Sequence, residues 1–335
     1  MRYLILGGGP AGIAAAKTIR KAITDAEIVL ATDETDAPYL RPLLPDLILG
    51  EARDETILDP QGADLAEKGV RLLTGRRAVR LDMGNRKVAF SDGTQEWYDV
   101  LLIATGGKPE TPAALKKELP AIRVFDSRKD ALGIKERAGL PGGAVVYGPG
   151  YLAIEACRAL RRTEKKVVWI KPDLPKYGYP IAGELEASIL DDVRNRGTQI
   201  MDGDEIVHVR ETGPEMSVVL TSGGVEIPCS LVVVATERVP SVGFLAGSGV
   251  NVGMGVLVDD FLRTSAPNVY AAGDCAEFPE KPQKVGRINF GWRSAIKQGQ
   301  LAGENMAGGN RRFGDERENY FWALFGFPLL DRARK

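Results

Sequence analysis

The chain has 335 residues, 44% of them hydrophobic, with 44 basic and 45 acidic side chains for a formal net charge of −1. That length accommodates two or three domains with real cores, and the balance of charge removes the electrostatic basis for nucleic acid or an anionic membrane as principal partner. Three cysteines, Cys157, Cys229 and Cys275, form no CxxC pair, which argues against a disulfide scaffold or zinc site and suits reduced thiols in the cytoplasm.

The chain begins on a strand pattern, Arg2–Leu6, with no basic and apolar leader ahead of it. Gly7-Gly8-Gly9-Pro10-Ala11-Gly12 is a tight turn, Ala14–Ala22 is rich in helix formers, and Ile28-Val29-Leu30 is a second strand. This is a βαβ unit, which requires a parallel sheet and a right-handed crossover. Val88–Thr94 reads as a hairpin arm around Asp92-Gly93, and Leu101–Gly107 as a buried strand ending in glycines. Pro109, Pro112 and Pro120 mark a linker.

The pattern then repeats. Ala144–Tyr147 is a strand, Gly148-Pro149-Gly150 a turn, Tyr151–Arg162 a helix and Val167–Ile170 a strand. Ile206–Arg210 alternates as a surface strand, which makes His208, the single histidine, a strand residue and not a catalyst. Leu231–Thr236 closes the second unit and Pro240 marks its exit. Val256–Asp259 and Val269–Asp274 read as a return to the first domain. No apolar stretch reaches the ~20 residues of a membrane span. The apolar tail Tyr320–Leu330 suits a small core element, a subunit contact or, with Arg332, Arg334 and Lys335 behind it, a membrane-surface anchor.

The first turn is a complete GxGxxG. Gly7 permits the turn, Gly9 lets a pyrophosphate approach the backbone, and Gly12 lets helix and strand pack closely. Pro10 and Ala11 open the helix, whose N-terminus offers free N–H groups and partial positive charge to phosphates. An acid after the second strand should bind a ribose hydroxyl, with Asp33 first and Glu34 second. The second turn, Gly148 to Ala153, is a GxGxxA with Tyr151 and Leu152 between its small residues. Its following strand ends at Lys171, where a cation could pair with a 2′-phosphate and favour NADPH, or simply be solvated.

Together Gly7–Gly12, Pro38–Pro42, Ala104–Pro109, Gly148–Glu155 and Arg263–Cys275, in this order, make the chain resemble the FAD-dependent pyridine nucleotide–disulfide oxidoreductase superfamily. It is most similar to the branch without a redox disulfide, the rubredoxin, ferredoxin and nitrite reductases. The resemblance implies an α/β fold with two Rossmann-like, glutathione-reductase-type nucleotide-binding domains carrying parallel sheets and β-hairpin arms. The expected FAD domain is 1–112 with 239–310, the expected NAD(P)H domain 113–238, and 311–335 a remnant of the family's C-terminal domain.

The resemblance also implies roles. Gly273 lets the flavin chain pass and Asp274 binds its ribityl or phosphate region. Arg41 and Pro42 lie beside the flavin, Val79 meets the adenine, Ala104, Thr105 and Gly106 line the FAD crossing, and the helix from Trp292 points its N-terminus at the pyrimidine side of the ring. Glu155 matches the glutamate near the nicotinamide, so Glu155 and Arg41 are the catalytic candidates. No cysteine follows the Pro-Tyr-x-Arg-Pro segment, which disfavours thiol chemistry at the flavin. All three cysteines read as packing.

Three departures stand out. Where related reductases carry lysine after the Arg-Pro, this chain has Asp46, which puts two acids where a salt bridge with Glu155 is expected. The second Ala-Thr continues as Glu237 instead of glycine, where a side chain could crowd the nicotinamide dinucleotide. Only a short tail stands in for the C-terminal domain.

The expected activity is an NAD(P)H oxidoreductase passing electrons through FAD to a small electron-transfer protein or an iron–sulfur subunit, in a homo- or hetero-oligomer. The rivals are a membrane-associated NADH:quinone oxidoreductase, which is disfavoured, and an FAD-bearing electron-transfer subunit with a degenerate second site.

Overall fold

The computed structural model describes residues 1–116, 118–160, 163, 165–173, 183–279, 287–288 and 290–314. The tail Tyr320–Leu330 and most of the expected 311–335 remnant lie outside them. The described helices are α1 (Pro10–Ala22), α2 (Leu44–Leu49), α3 (Pro60–Ala63), α4 (Arg128–Ala138), α5 (Tyr151–Leu160), α6 (Gly183–Asn195) and α7 (Trp292–Met306). The chain divides into two compact units. One comprises Met1–Pro38, Asp59–Gly107 and the chain from Pro240 onward, and the other Tyr39–Leu58 and Lys108–Val239.

The first unit is built on a five-stranded sheet whose neighbours run Val269–Ala271, Val100–Ile103, Arg2–Leu6, Glu27–Ala31, Val70–Leu73. Every pairing is parallel. Parallel strands are covered on both faces, so they read as continuous apolar runs. Tyr3, Leu4, Ile5 and Leu6 are accordingly at most 1% exposed. The strand order reverses between Arg2–Leu6 and Val100–Ile103. Ligands of open α/β sheets bind outside the carboxyl ends at such a reversal, and here those ends lead into Gly7 and Ala104. A three-stranded antiparallel arm, Ala78–Asp82, Lys87–Phe90 and Gln95–Trp97, turns at Asp92-Gly93 as the sequence implied.

The second unit repeats the plan. Its sheet runs Gln199–Asp202, Val167–Lys171, Ala144–Tyr147, Leu231–Val234, Ile122–Val124, again all parallel. The order reverses at Ala144–Tyr147 and Leu231–Val234, whose ends lead into Gly148 and Ala235. Its antiparallel arm is Ile206–Glu211, Ser217–Thr221 and Glu226–Cys229, with His208 exposed on it.

Residues 108–112, Val239 and, more substantially, Tyr39–Leu58 fall in the other unit from the one the sequence assigned them to. Tyr39–Leu58, expected in the first domain, clusters with the second unit. The reason is apolar burial: Leu44, Leu47 and Ile48 of α2 share a core with Ile154, Cys157 and Leu160 of α5. Arg41 and Pro42 travel with it.

Candidate functional site

At the first glycine turn, backbone geometry dictates residue type. Gly7 has φ 117°, and a Cβ there would lie 2.0 Å from the Ala104 carbonyl oxygen. A Cβ on Gly12 would lie 2.0 Å from the Gly7 carbonyl oxygen. Gly9 differs: a Cβ there would meet nothing within 4 Å. Its lack of a side chain therefore serves open space above the backbone. Gly9 is the N-cap of α1, with Pro10 in the first turn, no capping side chain and no acid in that turn. The first amides of α1 have no intrahelical acceptors, and the helix end carries partial positive charge. An open glycine face at that end is a fitting seat for a diphosphate.

The other expected groups each have their own setting. Thr105 donates its hydroxyl to the Ser241 carbonyl at 2.9 Å, and Gly106 has φ 60°. Gly273 has φ 83°, and a Cβ there would lie 3.1 Å from the Ala11 side chain. Asp274 accepts from the Gly291 amide at 3.1 Å, which ties it to the residue that caps α7 just before Trp292. Asp33 is exposed and Glu34 half-buried, both just past the strand Glu27–Ala31. Val79 lies on the antiparallel arm, 46% exposed. Arg41 lies in the other unit, where its guanidinium donates to the carbonyl and carboxylate of Asp126 and stacks over Tyr39.

Two features here escaped sequence reasoning. Gln298 is fully buried. Its side-chain oxygen accepts from the Gly273 amide at 2.8 Å while its nitrogen donates to Ser294 at 2.9 Å. Gln298 thus orients the Gly-Asp corner through α7. Gly299 and Gly303 let α7 press against α1, since a Cβ would lie 2.1 Å from the Ala11 carbonyl oxygen and 2.8 Å from that of Ala15. The four-residue spacing was a readable signal for the glycines; Gln298 had none.

The second turn copies the first. A Cβ on Gly148 would lie 2.1 Å from the Ala235 carbonyl oxygen, and the buried Trp169 indole donates to the Gly148 carbonyl at 2.9 Å. Tyr151 begins α5, and burial, then the charge of Glu155, raises its phenol pKa. Leu152 follows it, half-buried. Gly150 is not open: a Cβ there would lie 2.3 Å from Oε1 of Glu237. Lys171, at its strand end, is held by Asp202 at 2.8 Å and Glu186 at 3.5 Å. Burial alone would lower its pKa, but these carboxylates, Asp202 foremost, raise it overall.

The expected clash of Asp46 and Glu155 is resolved by a third group. Arg158, one turn along α5, reaches Asp46 at 2.9 Å and Glu155 at 3.0 Å. Glu155 is 4% exposed. Burial raises its pKa and Asp46 adds to that, while the charge and hydrogen bond of Arg158 oppose it. The three cysteines are buried, and burial lifts each thiol, Cys229 to about 11. Among the described residues no group of histidine, cysteine and acids could hold a metal, and no helix is long and apolar enough to cross a membrane.

Comparison with known proteins adds an independent finding. The family model for pyridine nucleotide-disulphide oxidoreductases matches residues 1–299. Human apoptosis-inducing factor 3 is 28% identical over 331 residues, covering 97% of this chain and 54% of that protein. The chain thus spans about half the length of that relative. The NADH-rubredoxin oxidoreductase of Clostridium acetobutylicum is 29% identical over 316 residues, covering 92% of this chain and 75% of its own. In fold, the ferredoxin reductase for the CYP199A2 system of Rhodopseudomonas palustris superimposes with TM-score 0.85 at 24% identity, over 93% of this chain and 78% of that one.

Proposed function

The chain belongs to the pyridine nucleotide-disulphide oxidoreductase family, and from that premise we propose that it is an FAD-dependent NAD(P)H oxidoreductase delivering electrons to a small electron-transfer protein. One observation carries the reading: the open face of Gly9 at the N-terminus of α1, gathered with Gly273, Asp274 and the start of α7. When bound, FAD supplies a carrier that accepts two electrons together and can release them singly.

The residues that would hold it have separable tasks. The amides after Gly9 take the diphosphate, and Asp33 or Glu34 takes a ribose hydroxyl. Asp274 offers its carboxylate to the linking chain, with its backbone corner fixed by Gln298. The N-terminus of α7 presents partial positive charge where a reduced flavin is anionic. In the second unit, the amides after Gly150 take the diphosphate of NAD(P)H, and the Arg158-braced Glu155 lines the nicotinamide end. Lys171 offers little to a 2′-phosphate because two carboxylates already match its charge. Three buried thiols leave no nucleophile for disulfide chemistry. The relatives named for rubredoxin and ferredoxin support an acceptor of that kind.

Anaerobic titration of the purified protein with NADH or NADPH, followed by rubredoxin or ferredoxin, tests the proposal. Bleaching of the flavin and reduction of the acceptor are expected. A colourless protein that takes up no FAD from excess would refute it. The carboxylate of Glu237 at Gly150 favours a second reading, an FAD-bearing electron-transfer subunit, which predicts no bleaching by either coenzyme.

A further inference from the structure

The two glycine turns follow one backbone plan but differ in what meets their second glycine. In both, the carbonyl ending the neighbouring strand segment lies where a Cβ on the first glycine would be, 2.0 Å away for Gly7 with Ala104 and 2.1 Å for Gly148 with Ala235. Each of those alanines is followed by threonine. The first copy then has Gly106, the second Glu237. The consequence appears at the second glycine of each turn, which is open at Gly9 and met by a Glu237 carboxylate oxygen at Gly150.

We propose that Glu237 is a side-chain gate on the second nucleotide site, its carboxylate seated where a dinucleotide's diphosphate must come, so that coenzyme enters only when the side chain swings out. The inference rests on reading the second turn as an NAD(P)H site. The seat has a physical reason. The Tyr151 and Leu152 amides that open α5 precede its first helical hydrogen bonds, which Ala153 and Ile154 make to the Gly150 carbonyl, and no residue of the first turn is acidic. A carboxylate from Glu237 supplies the missing negative charge.

The backbone at Glu237 is tethered, since Thr236 is buried with its hydroxyl on the Glu110 carbonyl at 2.8 Å and the Glu237 carbonyl accepts from the Glu110 amide at 3.4 Å. Rotation of the side chain is therefore the available opening motion. Two anions cannot share the seat, so apparent affinity is the intrinsic affinity multiplied by the fraction of molecules with the gate open. A seat filled in roughly 90–99% of molecules weakens coenzyme about ten- to a hundred-fold. The diphosphate is common to both coenzymes, so NADH and NADPH are weakened alike.

The test is calorimetric titration of the flavin-loaded full chain with NAD⁺ and NADP⁺, comparing wild type with E237G, E237A and E237Q. Glu237→Gly and Glu237→Ala should tighten both coenzymes about ten- to a hundred-fold, and Glu237→Gln, which keeps the bulk and loses the charge, should fall between. The near-isosteric glutamine variant keeps the test valid if the smaller residues disturb folding. Binding by an alanine or glycine variant where wild type binds nothing also supports the gate. Wild-type binding that no variant improves overturns the gate and leaves the NAD(P)H reading standing. If no protein in the series binds either coenzyme, the site assignment fails and the gate with it.

Discussion

Replacing Arg158 with methionine keeps an apolar stem and removes the cation that joins Asp46 to Glu155. Truncating one member of a buried ion pair costs about 3–5 kcal/mol, because the other charge is left buried. Arg158 and Asp46 keep 17% and 23% of their side-chain exposure, so water recovers part of that. The expected loss is about 2–4 kcal/mol near pH 8. At about 2–4 °C per kcal/mol for a domain of 150–250 residues, the melting temperature falls by roughly 5–15 °C.

The pH dependence gives the reasoning a second edge. Burial already holds the Glu155 carboxyl above its ordinary pKa, and the variant loses the opposing effect of Arg158. A carboxyl with a raised folded pKa binds more protons folded than unfolded in the interval between the two values. Stability therefore falls as pH rises through that interval and stays low above it. The deficit of R158M should be largest at about pH 8 and shrink toward about pH 5, where the neutral acid is cheap to bury. Thermal unfolding of the flavin-loaded protein at both pH values, with Arg158→Lys as the charge-conserving control, measures it. A variant that melts within about 2 °C of wild type at both pH values, or loses more in acid, would refute the argument.

The first glycine turn separates binding from folding. Gly9→Ala should melt within a few degrees of wild type yet lose most of its flavin, while Gly12→Ala, whose Cβ would press the Gly7 carbonyl, should fail to fold; flavin-to-protein absorbance and circular dichroism distinguish them, and a fully yellow G9A would remove Gly9 from the site. Asp202→Asn takes one partner from Lys171 and should raise NADPH affinity relative to NADH about two- to five-fold, the scale of one screened charge; an unchanged ratio discards Lys171 as a 2′-phosphate contact. Buried thiols raised by desolvation should not react with a disulfide reagent near pH 8 in the folded protein, and all three should appear in guanidinium. A fast-reacting thiol in the native state would contradict that.

Much of this protein was written locally in its sequence. A parallel strand covered on both faces must be a continuous apolar run, and Leu4-Ile5-Leu6 and Val145-Val146 are such runs, so both sheets were legible. Gly7, Gly12 and Gly148 were legible because any side chain there would collide with a carbonyl, a constraint that leaves only one residue type. What the sequence could not determine were meetings between residues distant along the chain. Arg158 is one turn from Glu155 but 112 positions from Asp46, and only the packing of α2 on α5 brings the acids to one guanidinium. The same packing, not any border signal, carries Arg41 into the second unit. Glu237 announced itself as a non-glycine, but that its carboxylate reaches Gly150 depends on two strands pairing in register. Local sterics and hydrophobic period are properties of a few adjacent residues, whereas charge pairing and occupancy of a cradle are decided by which segments the folded core presses together.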